Sequence, residues 1–393
     1  MQMSQIKERA PLLLFLILGI LALALSVTRP MHNWDMVIYA AAAKSFDEKD
    51  ITRIHSFVYS RLHRSVPEDE FKELAAPQGN DPDSVYRNII SSNPKAMSEQ
   101  LPLFQIRPAY TGLIYIMYKL GINIYFATHL VSGLAVFAGI ILLYFISKSA
   151  LPGYMTYLVP FGSAAAGVLS LAKYSTPDGL AFCAVIITVY LLIKSKMRAV
   201  LVFLPLITAV RTDLIMYILP FCMILLAGGW GKKRGICASA LVSIAIYILI
   251  NTWYSNPGWS TTFHSEFMEV SAYPLSSVTE VSSSDYLRVL LREAGNLFLH
   301  KKFLVYLPAS AASLIFILSR TGRKALAGPI TAAATASILY VIIHFLIFPD
   351  AHERFFSAQY ITGGIAFLYV TDNFFLSGRI NRKGRKRDGR KKQ

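Results

Sequence analysis

The chain has 393 residues, of which 54% are hydrophobic and only 16% charged. That charged share lies far below the roughly 25% of soluble domains. With a mean hydropathy of +0.46, it excludes a disordered chain, an ordinary soluble enzyme and a nucleic-acid-binding domain with a basic face. The net charge of +16 does not argue for nucleic acid either. Nine Lys/Arg against one Asp fall in Gly378–Gln393, half of the excess in one tail. A basic tail after an apolar run suits the cytoplasmic side of a membrane and its anionic lipid.

In chain order, the first apolar run is Pro11 to Val27, preceded by Lys7 and Arg9. It reads as an uncleaved anchor in preference to a signal peptide, although Ala22-Leu23-Ala24 resembles a cleavage site. Further runs are Phe126–Ile146, Tyr154–Ala172, Gly179–Ile193, Ala199–Val210, Leu214–Gly229, Ile236–Thr252, Phe303–Ser319, Pro329–Phe348 and Ser357–Leu376. The reading is therefore an all-α polytopic membrane protein with about ten transmembrane helices. Residues 1–377 would form one transmembrane domain and 378–393 a cytoplasmic tail. With both termini inside, Lys148, Lys194/Lys196/Arg198, Lys232/Lys233/Arg234 and Arg320/Arg323/Lys324 all fall in the cytoplasm, as the positive-inside rule requires. Pro108–Leu120 is too short to cross and reads as an interfacial amphipathic helix. No Asn-x-Ser/Thr sequon is present, which favours a bacterial cytoplasmic (inner) membrane over a eukaryotic secretory one. Cys183, Cys222 and Cys237 have no metal-ligand spacing and read as small core residues.

Two long segments then lie outside, residues 28–107 and 253–302. The first opens with a helical pattern from Trp34 to Phe46, with Val37, Ile38, Ala41 and Ala42 on an apolar side. Pro67, Pro77, Pro82, Pro94 and Pro102 break the remainder into short helices. The second ends in an amphipathic stretch, with Ser284 as N-cap, Asp285 in the first turn, and Leu287, Leu290, Leu291 and Leu297 along one side.

Soluble catalytic motifs are absent. The ionisable residues beside the spans gather at their outer ends: Asp35, Lys173, Asp178, Arg211, Asp213, Asp350, His352, Glu353 and Arg354. Charged groups at a membrane boundary are costly unless they face water, a partner or a ligand. Nine of them on one side suggest a shared polar cavity. Individually each has a plain structural explanation. Asp35 and Asp178 suit helix starts, Arg211 and Asp213 an interfacial pair, and His352-Glu353-Arg354 a solvated turn.

The order of features resembles the GT-C superfamily of membrane glycosyltransferases, which includes aminoarabinose transferases and protein O-mannosyltransferases. The resemblance rests on Asn33-Trp34-Asp35 early in the first outer loop and on Arg107-Pro108-Ala109-Tyr110 opening an interfacial helix. It rests also on Thr176-Pro177-Asp178-Gly179 opening a later span, on Arg211 between middle helices, and on Glu353-Arg354-Phe355-Phe356 before the last span. Asp35 stands alone where the family commonly carries paired acids. The resemblance implies transfer of a sugar from a polyprenyl-phosphate donor to a hydroxyl of a lipid, glycan or protein acceptor, on the extracytoplasmic face. An acceptor hydroxyl needs a positioned base, for which Asp35 is the choice. The phosphate leaving group needs cations, for which Arg211, Arg354 and Lys173 are the choices. Asp178, Asp213, Tyr39, His352, Glu353 and Arg107 are expected around the sugar and acceptor. A single base and direct displacement imply inversion. Asp35, Asp178 and Asp213 would either supply oxygen ligands to Mg²⁺ or Mn²⁺ or pair with the arginines.

The main rival is a transporter or flippase of a lipid-linked or small polar substrate. It predicts ionisable residues at mid-membrane on broken helices and an internal repeat, whereas the centres of these runs are nearly free of charge. A non-catalytic scaffold is the second rival.

Overall fold

The computed structural model describes residues 2–277 and 280–376. The basic tail expected on the cytoplasmic side lies outside them. Every regular element among the described residues is helical. The first helix, α1 (Gln2–Thr28), carries the expected anchor. It packs along α8 (Ile124–Ala150), which in turn packs on α12 (Asp178–Ile193).

Between α1 and α8 the chain forms a small helical subdomain. Its elements are α2 (Asp35–Lys44), α3 (Ile51–Leu62), α4 (Glu68–Ala75), α5 (Pro82–Ser92), α6 (Pro94–Gln105) and α7 (Pro108–Lys119). Local signals start these helices. Asp50 accepts from the backbone N–H of Thr52, Asp81 from Ser84 and Asn93 from Lys95. Pro82, Pro94 and Pro108 occupy first-turn positions, where a missing N–H costs nothing. Pro102, expected to break the chain, sits inside α6. The pattern in α2 suggested one apolar side, but Met36 to Ala43 are all buried. Four consecutive alanines, Ala40–Ala43, let α3, α6, α7 and α8 close around it.

The run expected as one span, Tyr154–Ala172, is broken into α9 (Gly153–Thr156), α10 (Leu158–Ala165) and α11 (Val168–Lys173). Gly167 between the last two has φ +91°, a left-handed conformation that stops helix propagation and suits glycine. After α12 come α13 (Met197–Thr208), a 3₁₀ turn at Thr212–Leu214, α14 (Ile215–Ala227) and α15 (Lys233–Trp253). The second long segment holds α16 (Trp259–Phe267) and α17 (Ser283–Asn296). The N-cap of α17 is Ser282, not Ser284, and it receives the backbone N–H of Asp285. Leu287 and Leu291 are exposed on it. Last come α18 (Lys301–Thr321), α19 (Pro329–Ile347) and α20 (Ser357–Val370).

Among the described residues, five helical stretches are long and apolar enough to cross a membrane: Ala10–Thr28, Ile124–Ala150, Lys233–Trp253, Lys301–Arg320 and Pro329–Ile347. Three more, α12 to α14, are apolar but shorter. The 12 residues of α13 span about 18 Å, less than a hydrocarbon core of about 30 Å. Five of the about ten expected spans are thus helices of crossing length among the described residues. The buried charges of Arg211-Thr212-Asp213 cut one helical hairpin short, and Gly167 breaks another run. Cys183 and Cys222 are buried as expected, but Cys237 is exposed, as are Leu241, Ile248 and Leu249 on the same helix.

The two ends of the bundle differ. Near the start of α8, the Tyr125 hydroxyl donates to the carbonyl of Val58 in the subdomain. At its other end, Lys194 donates to Ser149 (3.0 Å). Trp230 donates to the carbonyl of Leu326 (2.8 Å). These bonds tie basic breaks in two pairs, the one after α8 with the one after α12, and the one after α14 with the one before α19.

The α8–α12 contact is close because Gly179 has no side chain. A Cβ there would lie 2.9 Å from the carbonyl oxygen of Ser132, backbone that cannot yield cheaply. Gly179→Val is expected to destabilise the protein by about 1–3 kcal/mol, as overpacking does. A lowered melting temperature of the detergent-solubilised chain is the measurement.

Candidate functional site

Two backbone hydrogen bonds bring distant segments together at the subdomain end. The N–H of Met31, just after α1, donates to the carbonyl of Lys173 (3.0 Å), and Met31 forms an isolated bridge with Tyr174. This holds the start of α2 beside the start of α12. The N–H of Ala109 donates to the carbonyl of Ala209 (2.9 Å), which holds the start of α7 beside the end of α13. Asp35, Asp178, Arg107 and Arg211 converge as a result.

At the centre is Arg211, 4% exposed. Its Nη1 donates to Asp178 Oδ1 at 2.5 Å, its Nε to Asp213 Oδ1 at 3.0 Å and its Nη2 to Asp213 Oδ2 at 2.5 Å. Burial alone would lower its pKa. The carboxylates of Asp213 and Asp178 outweigh that and hold it above the ordinary arginine value. Asp213 also receives the Tyr340 hydroxyl at 3.3 Å and lies 3.7 Å from His344 Nε2. The second oxygen of Asp178 accepts the Thr176 hydroxyl at 2.7 Å. Thr176 is itself fixed, since its carbonyl accepts from Ser132.

Arg354 completes the cluster more loosely. Its Nη1 is 3.5 Å from Asp35 Oδ2 and its Nε 3.8 Å from Asp178 Oδ2. The Phe355 ring lies between two guanidinium groups, 4.9 Å from that of Arg211 and 4.9 Å from that of Arg354. Burial opposes the charge of Arg354, but Asp178, Asp35 and Asp350 raise its pKa.

These groups line a cavity of about 520 Å³. Of the sequence-derived residues, Asp35, Tyr39, Arg107, Asp178, Arg211, Asp350 and Arg354 line it. The others do not. Asp213 stands behind Arg211. Glu353 is engaged by Lys302 on another side. His352 is exposed, with its backbone N–H on Asp350, and Lys173 is half-buried outside the cavity. Tyr39 is 3% exposed, and no hydrogen-bond partner holds its hydroxyl. Burial pushes its pKa up despite the nearby Arg107.

Sequence reading missed Asp83, Tyr86, Arg87 and Glu266 as lining residues. Glu266 arrives on α16 because the second long segment is strapped to α6. The buried Glu99 accepts from the N–H of Leu275 (3.1 Å) and of Ser276 (2.9 Å), and Gln100 donates to the carbonyls of Ser271 and Ala272. The only local hint was a single acid between Phe263 and Phe267. Although the Glu266 side chain reaches the water of the cavity, the surrounding protein displaces enough solvent to raise its pKa, and Asp350 adds to the rise.

A second cavity, about 530 Å³ and wholly apolar, opens between α7, α12 and α13. Residues that line the two cavities are neighbours in sequence at three places. Arg107 lines the first and Pro108 the second; so do Asp178 and Leu180, and Arg211 and Val210. At each place the lining changes from charged to apolar within one or two residues.

Among the described residues no group of three His, Cys, Asp or Glu is arranged to hold a metal ion. Of the three carboxylates considered for Mg²⁺ or Mn²⁺, Asp178 and Asp213 have both oxygens engaged by Arg211 or Thr176. Only Asp35 keeps a free oxygen, so these carboxylates fit the arginines better than a cation.

No family model, no curated protein and no solved structure matches this chain.

Two outcomes follow from the electrostatics. Asp213→Ala leaves the buried Arg211 half-paired and is expected to cost about 3 kcal/mol, read as a lower unfolding midpoint. Glu266 has a raised pKa in the folded state, so its ionisation opposes folding. Glu266→Gln should raise the melting temperature at pH 7. The gain should fade as the pH falls through the carboxylate range, where wild-type Glu266 is protonated as well.

Proposed function

We propose that the protein is a membrane glycosyltransferase that moves a sugar from a polyprenyl-phosphate donor to an acceptor hydroxyl at the extracytoplasmic face. The observation that carries this reading is that a charged cavity and an apolar groove are lined by neighbouring residues of the same three chain segments. A donor with an anionic head and a hydrocarbon tail matches both halves of that surface. A small soluble substrate has no use for the apolar half.

In this reading the chain passes the membrane ten times, with its shorter and broken helices completing the passes. Both termini lie in the cytoplasm of a bacterial cell, where the positive-inside rule puts the basic breaks between the spans. Asp35 removes the proton from the acceptor hydroxyl as it attacks the anomeric carbon. Its free oxygen suits that task, and Arg354 Nη1 lies 3.5 Å from the other oxygen. The bond from the anomeric carbon to phosphate breaks, and the phosphate leaves with its electron pair. Arg354, held by long and incomplete contacts, has hydrogen-bonding capacity for that charge. Tyr39, with a free hydroxyl on the cavity, and Asp178 bind sugar hydroxyls. Displacement from the opposite face inverts the anomeric centre. The acceptor is a lipid, glycan or protein that enters from the aqueous side, past Glu266 and Asp350. No step is routed through a metal.

The test is Asp35→Asn assayed in membranes with a panel of polyprenyl-phosphate sugars. Loss of transfer by at least about a hundredfold, the scale of general-base catalysis, with unchanged melting temperature, is expected. Full activity in this variant would remove Asp35 as the base.

A further inference from the structure

Arg211 is an unsuitable ligand for an incoming phosphate. Five donor hydrogens are available on a guanidinium, and its Nε, Nη1 and Nη2 all already donate to Asp178 or Asp213. Only two of the five hydrogens are left over, on a side chain 4% exposed, and a phosphate drawing on the others would have to displace Asp178 and Asp213. Leaving them unpaired there is expensive.

Arg107 is placed differently. It is half-buried at the mouth of α7, and its Nη1 donates to the carbonyl of Leu103 at 2.7 Å. Its guanidinium carbon lies 5.9 Å from the ring centres of both Tyr39 and Phe104. No carboxylate pairs with it among the described residues. A guanidinium stacked on aromatic rings keeps its orientation while its remaining N–H groups stay available. It also lines the polar cavity, while its chain neighbours Pro108 and Ala109 line the apolar one. The groove below has room because of small residues: Ala109, Gly112, Cys183 and Ala184. A Cβ added at Gly112 meets no atom within 4 Å.

We propose that Arg107, rather than Arg211, is the anchor for the phosphate of a single-tailed isoprenoid lipid whose tail lies in the α7–α12–α13 groove. This rests on the proposed sugar transfer for its substrate class, but the binding step stands apart from the chemistry. Arg211 then serves as a strut that shapes the site, and Arg107 joins Arg354 in facing the ligand. The free charge of Arg107 meets the phosphate at the depth where the walls turn apolar. The tail is thereby confined to the bilayer while the sugar reaches Asp35.

The experiment uses the full chain in detergent, with direct binding of a long-chain polyprenyl phosphate, the matching uncharged polyprenol and phosphatidic acid. Arg107→Gln is expected to weaken polyprenyl phosphate roughly ten- to a hundredfold, the scale of a lost charged hydrogen bond, and to leave polyprenol unchanged. Arg107→Lys should recover part of the loss, because it keeps the charge without the fork. Gly112→Leu fills the groove without a backbone clash and should weaken both isoprenoids alike. Polyprenyl phosphate affinity unaltered by Arg107→Gln, or isoprenoid affinity unaltered by Gly112→Leu, would overturn the assignment. Equal affinity for phosphatidic acid would overturn the single-tailed ligand. Sugar transfer is assayed in parallel. A chain that binds polyprenyl phosphate through Arg107 but transfers no sugar retains the anchor and loses the enzymatic reading. Transfer and donor binding both unaffected in Arg107→Gln do the reverse.

Discussion

A guanidinium buried between two carboxylates holds this molecule's polar centre in shape. Arg211 joins Asp178, at the start of α12, to Asp213, at the start of α14. Its own backbone follows the end of α13. A charge removed from water must be paired, or the fold bears a penalty of several kcal/mol. Here the pairing requires three helices to end at the same place. That requirement keeps α13 short and gives the adjoining cavity a fixed wall. Phe355, against both Arg211 and Arg354, carries the same constraint to the segment before α20.

Around that strut the bundle divides its work by polarity. Exposed apolar residues cover α15 and α1, as expected of surfaces that face lipid. The helices carrying the site are instead packed by small residues, with Gly179 of α12 against α8 and the alanines of α2 inside the subdomain. A helix so enclosed can hold Asp35 at its first turn with little freedom. Rigid placement of this kind is what a positioned base or ligand needs. The second long segment adds the outer wall through Glu99 and Gln100. The cavity is therefore built from both extramembrane segments and the helix ends together.

Much of the candidate site was readable before any fold was known. Asp35, Asp178, Arg211 and Arg354 lie far apart in the chain, yet each adjoins an apolar run at the same end. Membrane alternation alone was enough to put them on one side, because an ion cannot remain in hydrocarbon without a partner. Lys173, Glu353 and His352 share that position and still do not reach the cavity. Membrane depth is set by the hydrophobic pattern, whereas the direction of a side chain is set by how helices rotate against their neighbours. Glu266 and Asp83 were unreadable for the opposite reason. They sit on water-soluble helices, where an acidic residue is unremarkable, and only the strap onto α6 turns one of them inward.

By itself, the order of residues determined that this is a helical protein with helices long and apolar enough to cross a membrane and two long polar insertions, because apolar length and charge placement act locally. It also determined several helix starts, through capping side chains and first-turn prolines. The tertiary structure alone decided that Arg211 is consumed as a strut while Arg107 has no carboxylate partner among the described residues, that α2 is enclosed on every side, and that neighbouring residues line a charged cavity and an apolar groove. These depend on contacts between residues far apart in the chain, such as Arg211 with Asp178, 33 positions away, and Arg354 with Asp35, 319 away. Such contacts arise only when the packing of several helices is satisfied at once.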